Sequence, residues 1–315
     1  MHVETSLAAR ARRFELSPGL FRGLALTSAT ALYLIIVTGT TVRLTGSGLG
    51  CESWPGCQEG RAFPEKDFHS YVEFGNRLVG GAVIVATLVT ALAALRMPRL
   101  ARYGRRTALA VFAGTLAQAP LGYLTVRFDL NPYLVMSHFL LSVVVLAGAV
   151  VVALAALDLD SDPARAVLPR ELRLAALGAA AGCLFLLVTG TIATAAGPHP
   201  GDSAEIHRLW RLEDAVFSHA AGTAVFGLSF AFMLGYLVSR RSEAPRLLAL
   251  SLAVLGLVVV QAVVGAVQYH TKLPWGLVLV HVATAAAVWV GIVALAALFH
   301  RPVGRFAQPV AREIN

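Results

Sequence analysis

The chain is 315 residues long, 57% hydrophobic and only 14% charged, with a formal net charge of +8. That composition lies outside the usual range of a soluble globular domain and points to a polytopic membrane protein. The surplus positive charge falls between apolar runs, so it argues for membrane topology and against a nucleic-acid binder.

Eight mainly apolar stretches lie near 22–42, 71–95, 107–126, 133–157, 174–195, 214–238, 247–268 and 276–299. Each has about the 20 residues that a spanning helix needs, which predicts eight transmembrane helices and leaves little chain for a soluble domain. The first 21 residues are polar and no small-residue cleavage site follows the first run. No cleavable signal peptide is therefore expected, and the first helix is retained.

Basic residues gather on alternate connections: Arg10, Arg12, Arg13 and Arg22, then Arg96, Arg99, Arg102, Arg105 and Arg106. Arg165, Arg170 and Arg173, Arg240, Arg241 and Arg246, and Arg301, Arg305 and Arg312 continue the pattern. Because cytoplasmic flanks accumulate Lys and Arg, both termini are expected in the cytoplasm of a multi-pass cell-membrane protein.

Cys51 and Cys57 lie in the first outer loop, GLGCESWPGCQEG, where an oxidising compartment permits a disulfide. A structural clip contributes about 2 kcal/mol for so short a loop; the spacing also suits a redox-active pair. Cys183, inside the fifth helix, reads as a packing residue.

An internal duplication organises the rest. The first helix contains LYLIIVTGT, ending at Thr40, and the fifth LFLLVTGT, ending at Thr191. QAPLG begins at Gln118 and QAVVG at Gln261, and each precedes a helix with a lone histidine, MSHFLLS at His138 and LVHVATA at His281. Both pairs are 143 residues apart, so two anchors divided by a loop keep one register. The same offset pairs Asn76 in EFGNRLVGG with His219 in VFSHAAGTA. The VTGT pair is 151 residues apart because the first half has the longer outer loop. The expected architecture is all-α: two four-helix bundles, residues 1–157 and 174–315, joined by a cytoplasmic linker at 158–173. Each half has an even number of helices, so the halves form a parallel repeat about an axis along the membrane normal.

One histidine in an apolar helix can satisfy itself with a neighbouring hydroxyl or carbonyl. His219 and His281, at matched depth near the outer ends of alternate helices, are different. Two imidazoles facing across a four-helix bundle hold a haem iron from both sides, and without a CxxCH motif that haem is b-type. In the first half His138 faces Asn76, a poor ligand for haem iron, so a haem there is held from one side or ligated by something else. Glu73 and Arg77 flank Asn76. An ionisable group within a membrane helix is a functional candidate unless paired or solvated; here an i, i+4 ion pair is the plain alternative, and Arg77 also suits a haem propionate. The remaining His69, His199, His207 and His270, with Trp54, Trp210 and Trp275, read mainly as interfacial, with IHRLWR a candidate cover for the second site.

TGSGLGCESWPGC, EFGNRLVGG and the single histidines opening helices 4, 6 and 8 together resemble the haem A synthase family over nearly the whole chain. The resemblance implies oxidation of a methyl group of haem O to a formyl group by two successive hydroxylations, giving haem A for terminal oxidases. It implies a substrate haem in the first half and a haem b in the second. It makes Glu73 catalytic, His138, His219 and His281 haem-iron ligands, Asn76 and Arg77 part of the substrate-haem site, and Cys51 and Cys57 the family's outer-loop pair. The implied partners are haem O, haem O synthase, an electron-transfer partner, lipid and a second copy of the chain. The departure is Asn76, where many family members have EFGHR or EYGHR. Two other classes compete: a dihaem electron-transfer cytochrome, which needs ligands in both halves, and a parallel-repeat transporter, which needs a polar path that helices 4, 7 and 8 do not offer.

Overall fold

The computed structural model describes residues 16–60, 63–64, 67–160, 168–202, 210–303 and 306. Arg10, Arg12, Arg13, Arg165, His207, Arg305 and Arg312, named above, lie outside the described residues. Each apolar run forms one α-helix: α1 Pro18–Leu44, α2 Phe68–Leu95, α3 Arg102–Arg127, α4 Pro132–Leu157, α5 Arg170–Ala196, α6 Leu212–Ser239, α7 Pro245–His270 and α8 Trp275–His300. All eight are long and apolar enough to cross a membrane, and there is no β-strand among the described residues. This is the make-up of a multi-span membrane protein, in which each span meets its own backbone hydrogen bonds.

Every helix begins before its apolar stretch does. Arg22, Arg102, Arg105, Arg106, Arg170, Arg173 and Arg246 therefore occupy opening turns rather than connections. A helix keeps satisfying its backbone beyond hydrocarbon, and long basic side chains reach from its first turns to the interface. Local signals fix several starts: Ser17 accepts from Leu20 N at 3.2 Å, Asp67 from Ser70 N at 3.0 Å and Asn131 from Tyr133 N at 3.0 Å, each supplying an N-cap.

α1, α4, α5 and α8 pack together at the centre, with α2 and α3 flanking α1 and α4, and α6 and α7 flanking α5 and α8. Two side-chain donors fasten the halves: the buried Trp289 Nε1 donates to Val143 O at 2.9 Å and the half-buried Tyr33 OH to Ala283 O at 3.1 Å. The flanks differ. α2 packs along α3, whereas α6 and α7 barely touch, leaving the second half open between them.

Local geometry recurs between the halves. The α3–α4 turn holds Asp129 and Leu130 at φ 49° and 55°, and the α7–α8 turn holds Lys272 and Leu273 at 64° and 58°. Leu130 N donates to Thr125 O and Leu273 N to Gln268 O, at 2.9 and 2.7 Å. Gly148 lets α4 cross against Val111, and Gly291 lets α8 cross against Val254; a Cβ at either glycine would lie 2.7 Å from the facing valine methyl.

Candidate functional site

The alternating helix directions bring the C-terminal ends of α1, α3, α5 and α7 and the N-terminal ends of α2, α4, α6 and α8 to one end of the bundle, where the cysteine loop also lies. The connections there are tied together: Gly48 N donates to Gly201 O at 2.8 Å, Arg43 Nη2 to Thr194 O at 2.5 Å, and His199 Nε2 lies 2.8 Å from Leu273 O. Asn76, His138, His219 and His281 all stand about two helical turns inside this end.

In the second half the rings of His219 and His281 lie 6.3 Å apart between centroids, with planes at 77°. A metal–imidazole bond is about 2.0 Å, and the ring centre lies about another 1 Å beyond the nitrogen, so two imidazoles on one metal atom have centroids about 6 Å apart. The observed separation fits that arrangement. Glycines make room on the neighbouring helix: a Cβ at Gly190 would lie 3.1 Å from His219 Cε1, and one at Gly265 would lie 2.9 Å from His281 Cε1.

The hydrogen bonds around His219 are consistent with an Nδ1–H tautomer. The Thr189 hydroxyl donates to Leu186 O at 2.9 Å, so its oxygen, 3.3 Å from His219 Nδ1, is left to accept from the ring N–H. That leaves the Nε2 lone pair for a metal, the usual division of labour in a ligating histidine. His281 Nδ1 is a buried polar atom with no partner in the structure. These features suit an iron held between two imidazoles, and a haem is the group that presents one.

In the first half a glycine again lies beside a histidine, but the other groups differ. Gly122 lies beside His138, where a Cβ would be 3.5 Å from Cε1, and His138 Nδ1 is also buried without a partner. Gln118 Nε2, on α3, donates to His138 O at 3.2 Å and Ser142 Oγ at 2.8 Å, holding α4 in register. Opposite, Thr38 Oγ1 donates to Asn76 Oδ1 at 2.8 Å. Gly39 faces Asn76 with space to spare, since a Cβ there would be 4.0 Å from both amide atoms.

Glu73 and Arg77 pair, as the i, i+4 spacing allows. Their surroundings go further than the spacing does. Glu73 is only 4% exposed, and its Oε2 accepts the Cys51 N–H at 2.8 Å. Arg77 Nη1 donates to Ser53 O at 2.6 Å and also to Gly56 O. Cys51 and Cys57 are disulfide-bonded and buried against Ser70 O, while Ser70 Oγ donates to Gly50 O at 2.6 Å. The cysteine loop is thus clamped on the first turns of α2 by Glu73, Arg77 and Ser70. Arg77 pairing with a propionate requires exchange of one of these bonds. Gly50 permits the close approach: a Cβ there would lie 2.5 Å from His69 O.

The other polar residues serve the connections. His69 Nδ1 lies 3.0 Å from Ser47 Oγ, Trp54 packs tilted against Tyr123 and Trp210 edge-to-face with Tyr133, and Cys183 is a buried free thiol. Thr38, Thr189 and the glycines beside the four positions carry the site's geometry. Their sequence signal was the VTGT repeat and the shared 143-residue offset of PLG and VVG, but neither predicts which residue a hydroxyl faces.

The fold and site together define an all-helical multi-span membrane protein with a paired-imidazole site in one half and a carboxylate-bearing site in the other. A family model described as cytochrome oxidase assembly protein, COX15-CtaA, matches residues 22–198. The chain is 32% identical to the heme A synthase of Bacillus pumilus over 152 residues, 47% of this chain and 48% of the relative. It is 32% identical to that of Bacillus licheniformis over 143 residues, 44% and 46% of the two chains, and 23% identical to that of Bacillus cereus over 173 residues, 54% and 55%. The matches span about half the length of these relatives. The chain belongs to the haem A synthase family.

Proposed function

We propose that the chain is a haem A synthase, oxidising a methyl group of haem O to a formyl group by successive hydroxylations. The observation that carries this reading is the inequality of its two matched sites. His219 and His281 are spaced to close on one iron, while the first half offers His138, Asn76 and the buried carboxylate of Glu73. A dihaem electron carrier has use for the first arrangement and none for the second.

Haem b is the resident cofactor, held by His219 and His281, and it supplies one-electron redox chemistry. The first half takes haem O as substrate, with His138 as its protein ligand and Asn76 and Arg77 at its margin. Glu73 is paired with Arg77 and fixed in position by the Cys51 N–H. A preorganised carboxylate in a site poor in water stabilises positive charge developing at the methyl carbon. The disulfide loop positions Glu73 and covers the site.

The recurring turns and glycine crossings support a parallel repeat of two four-helix halves. The arginine pattern supports cytoplasmic termini, which puts the ligand-bearing end on the extracytoplasmic side of the cell membrane. Haem O synthase, an electron-transfer protein and a second copy of the chain are the proposed partners.

The experiment is to express the chain in cells that make haem O, purify it, and identify the extracted haems by mass. Haem b with haem A, or with a hydroxylated species between O and A, is expected. Haem b alone, with haem O demonstrably supplied, would return the chain to the electron carriers.

A further inference from the structure

We infer that Asn76 leaves one axial position of the first-half haem without a protein ligand and turns an amide N–H towards it, making this the half that binds a small diatomic ligand. The inference rests on the reading that a haem occupies this half.

Thr38 and Thr189 occupy the same place in the two VTGT segments. In the second half, Thr189 spends its proton on Leu186 O and accepts from His219, which directs a nitrogen lone pair at the metal position. In the first half, the shorter contact of Thr38 is the 2.8 Å bond that it donates to Asn76 Oδ1, against 3.3 Å to Ile35 O. The same hydroxyl is therefore an acceptor in one half and a donor in the other, and the polarity of the group that it orients is reversed.

The consequence is chemical. An amide coordinates a metal through its oxygen, because the nitrogen lone pair is delocalised into the carbonyl. Asn76 Oδ1 is held to α1 by Thr38, which leaves Nδ2 with its two hydrogens as the group facing elsewhere. Asparagine is also shorter than histidine, so even a rotated amide ends short of where an imidazole Nε2 would reach. Glu73, about one helical turn from Asn76 on α2, is committed to Arg77 and the Cys51 N–H. A haem bound by His138 then has a vacant face with a hydrogen-bond donor beside it, whereas the haem between His219 and His281 has none.

The test is carbon monoxide binding to the reduced, haem-loaded full chain, with haem content measured separately as the pyridine complex. His138→Ala identifies the first-half haem by its loss. The expected result is that carbon monoxide shifts the spectrum of that haem alone. Asn76→His should abolish the shift and convert that haem to a low-spin spectrum. Asn76→Leu should keep the shift while moving the C–O stretch to higher wavenumber, and it decides the question if the histidine variant does not accumulate. Two haems with no shift in the wild type would overturn the inference and leave the functional reading standing. No haem lost in His138→Ala would overturn both.

Discussion

The imidazoles of His219 and His281 lie with their ring centroids 6.3 Å apart across the second half. The spacing is set by α5 and α7, whose Gly190 and Gly265 let both rings lie close against the neighbouring backbone. Replacing either histidine with alanine should remove the low-spin haem from the purified protein. The His138→Ala protein should retain it. Absorption spectra of the three variants, with haem measured per chain, check this, and retention of low-spin haem in both second-half variants would refute the pairing.

Thr189 acts on the metal position only through His219. Thr189→Val removes the acceptor for the ring N–H and should weaken haem retention by roughly 10- to 100-fold, the usual effect of losing a partner behind a ligating histidine. Thr189→Ser keeps the hydroxyl and should restore it. A haem dissociation rate measured by transfer to an apo-globin separates the two, and equal rates in valine and serine variants would deny Thr189 this role.

The eight spans were legible in the sequence because hydropathy is a one-dimensional signal, and a fixed offset of 143 residues marked Asn76, His138, His219 and His281 as candidates. Rotation about each helix axis was not. α4 and α8 are apolar nearly all round, so no polar stripe marks which face carries His138 or His281. The Glu73–Arg77 pair followed from spacing, but its clamp on Ser53, Gly56 and Cys51 joins residues brought together only by the folded loop. Likewise, the VTGT motif announced a repeat without revealing that Thr38 donates where Thr189 accepts.

The glycines beside the four positions differ in the room they leave. Gly265→Ala would put a methyl 2.9 Å from His281 Cε1, whereas Gly39→Ala would meet nothing closer than 4.0 Å at Asn76. The first change should cost about 1–3 kcal/mol, the usual range for overpacking, and lower haem content. The second should cost little. Thermal unfolding in detergent with haem quantified alongside distinguishes them, and equal losses would show that crowding at the ring is not the cause.

At the start of α2, the Ser70 backbone N–H holds the Asp67 carboxyl below the usual carboxylate range, with the Ser70 hydroxyl and His69 adding to the effect. A depressed folded-state value means that the cap's contribution is complete above the unfolded pKa of about 3.9. It is lost as pH falls through the lower folded value. Asp67→Asn can still accept from Ser70 but cannot titrate. The melting temperatures of the two proteins, followed downward from neutral pH, should converge below about pH 4. A difference that stays constant to the acid end would exclude the linkage.

Glu73 clamps the cysteine loop, and the proposed function gives it a second, separable duty, supplying negative charge to the site. Glu73→Gln leaves Arg77 with its loop carbonyls but without a counter-ion, and breaking a buried pair on one side costs about 3–5 kcal/mol. Replacing both members with apolar groups of similar size is often neutral, so Glu73→Leu with Arg77→Met should recover much of that stability. Turnover should not return with it, because the double variant has no carboxylate to stabilise charge at the methyl carbon. Melting temperature and haem A content measured on the same preparations decide the matter. Haem A formed at the wild-type level by the stabilised double variant would reduce Glu73 to a loop anchor and move the search for the catalytic group elsewhere in the first half.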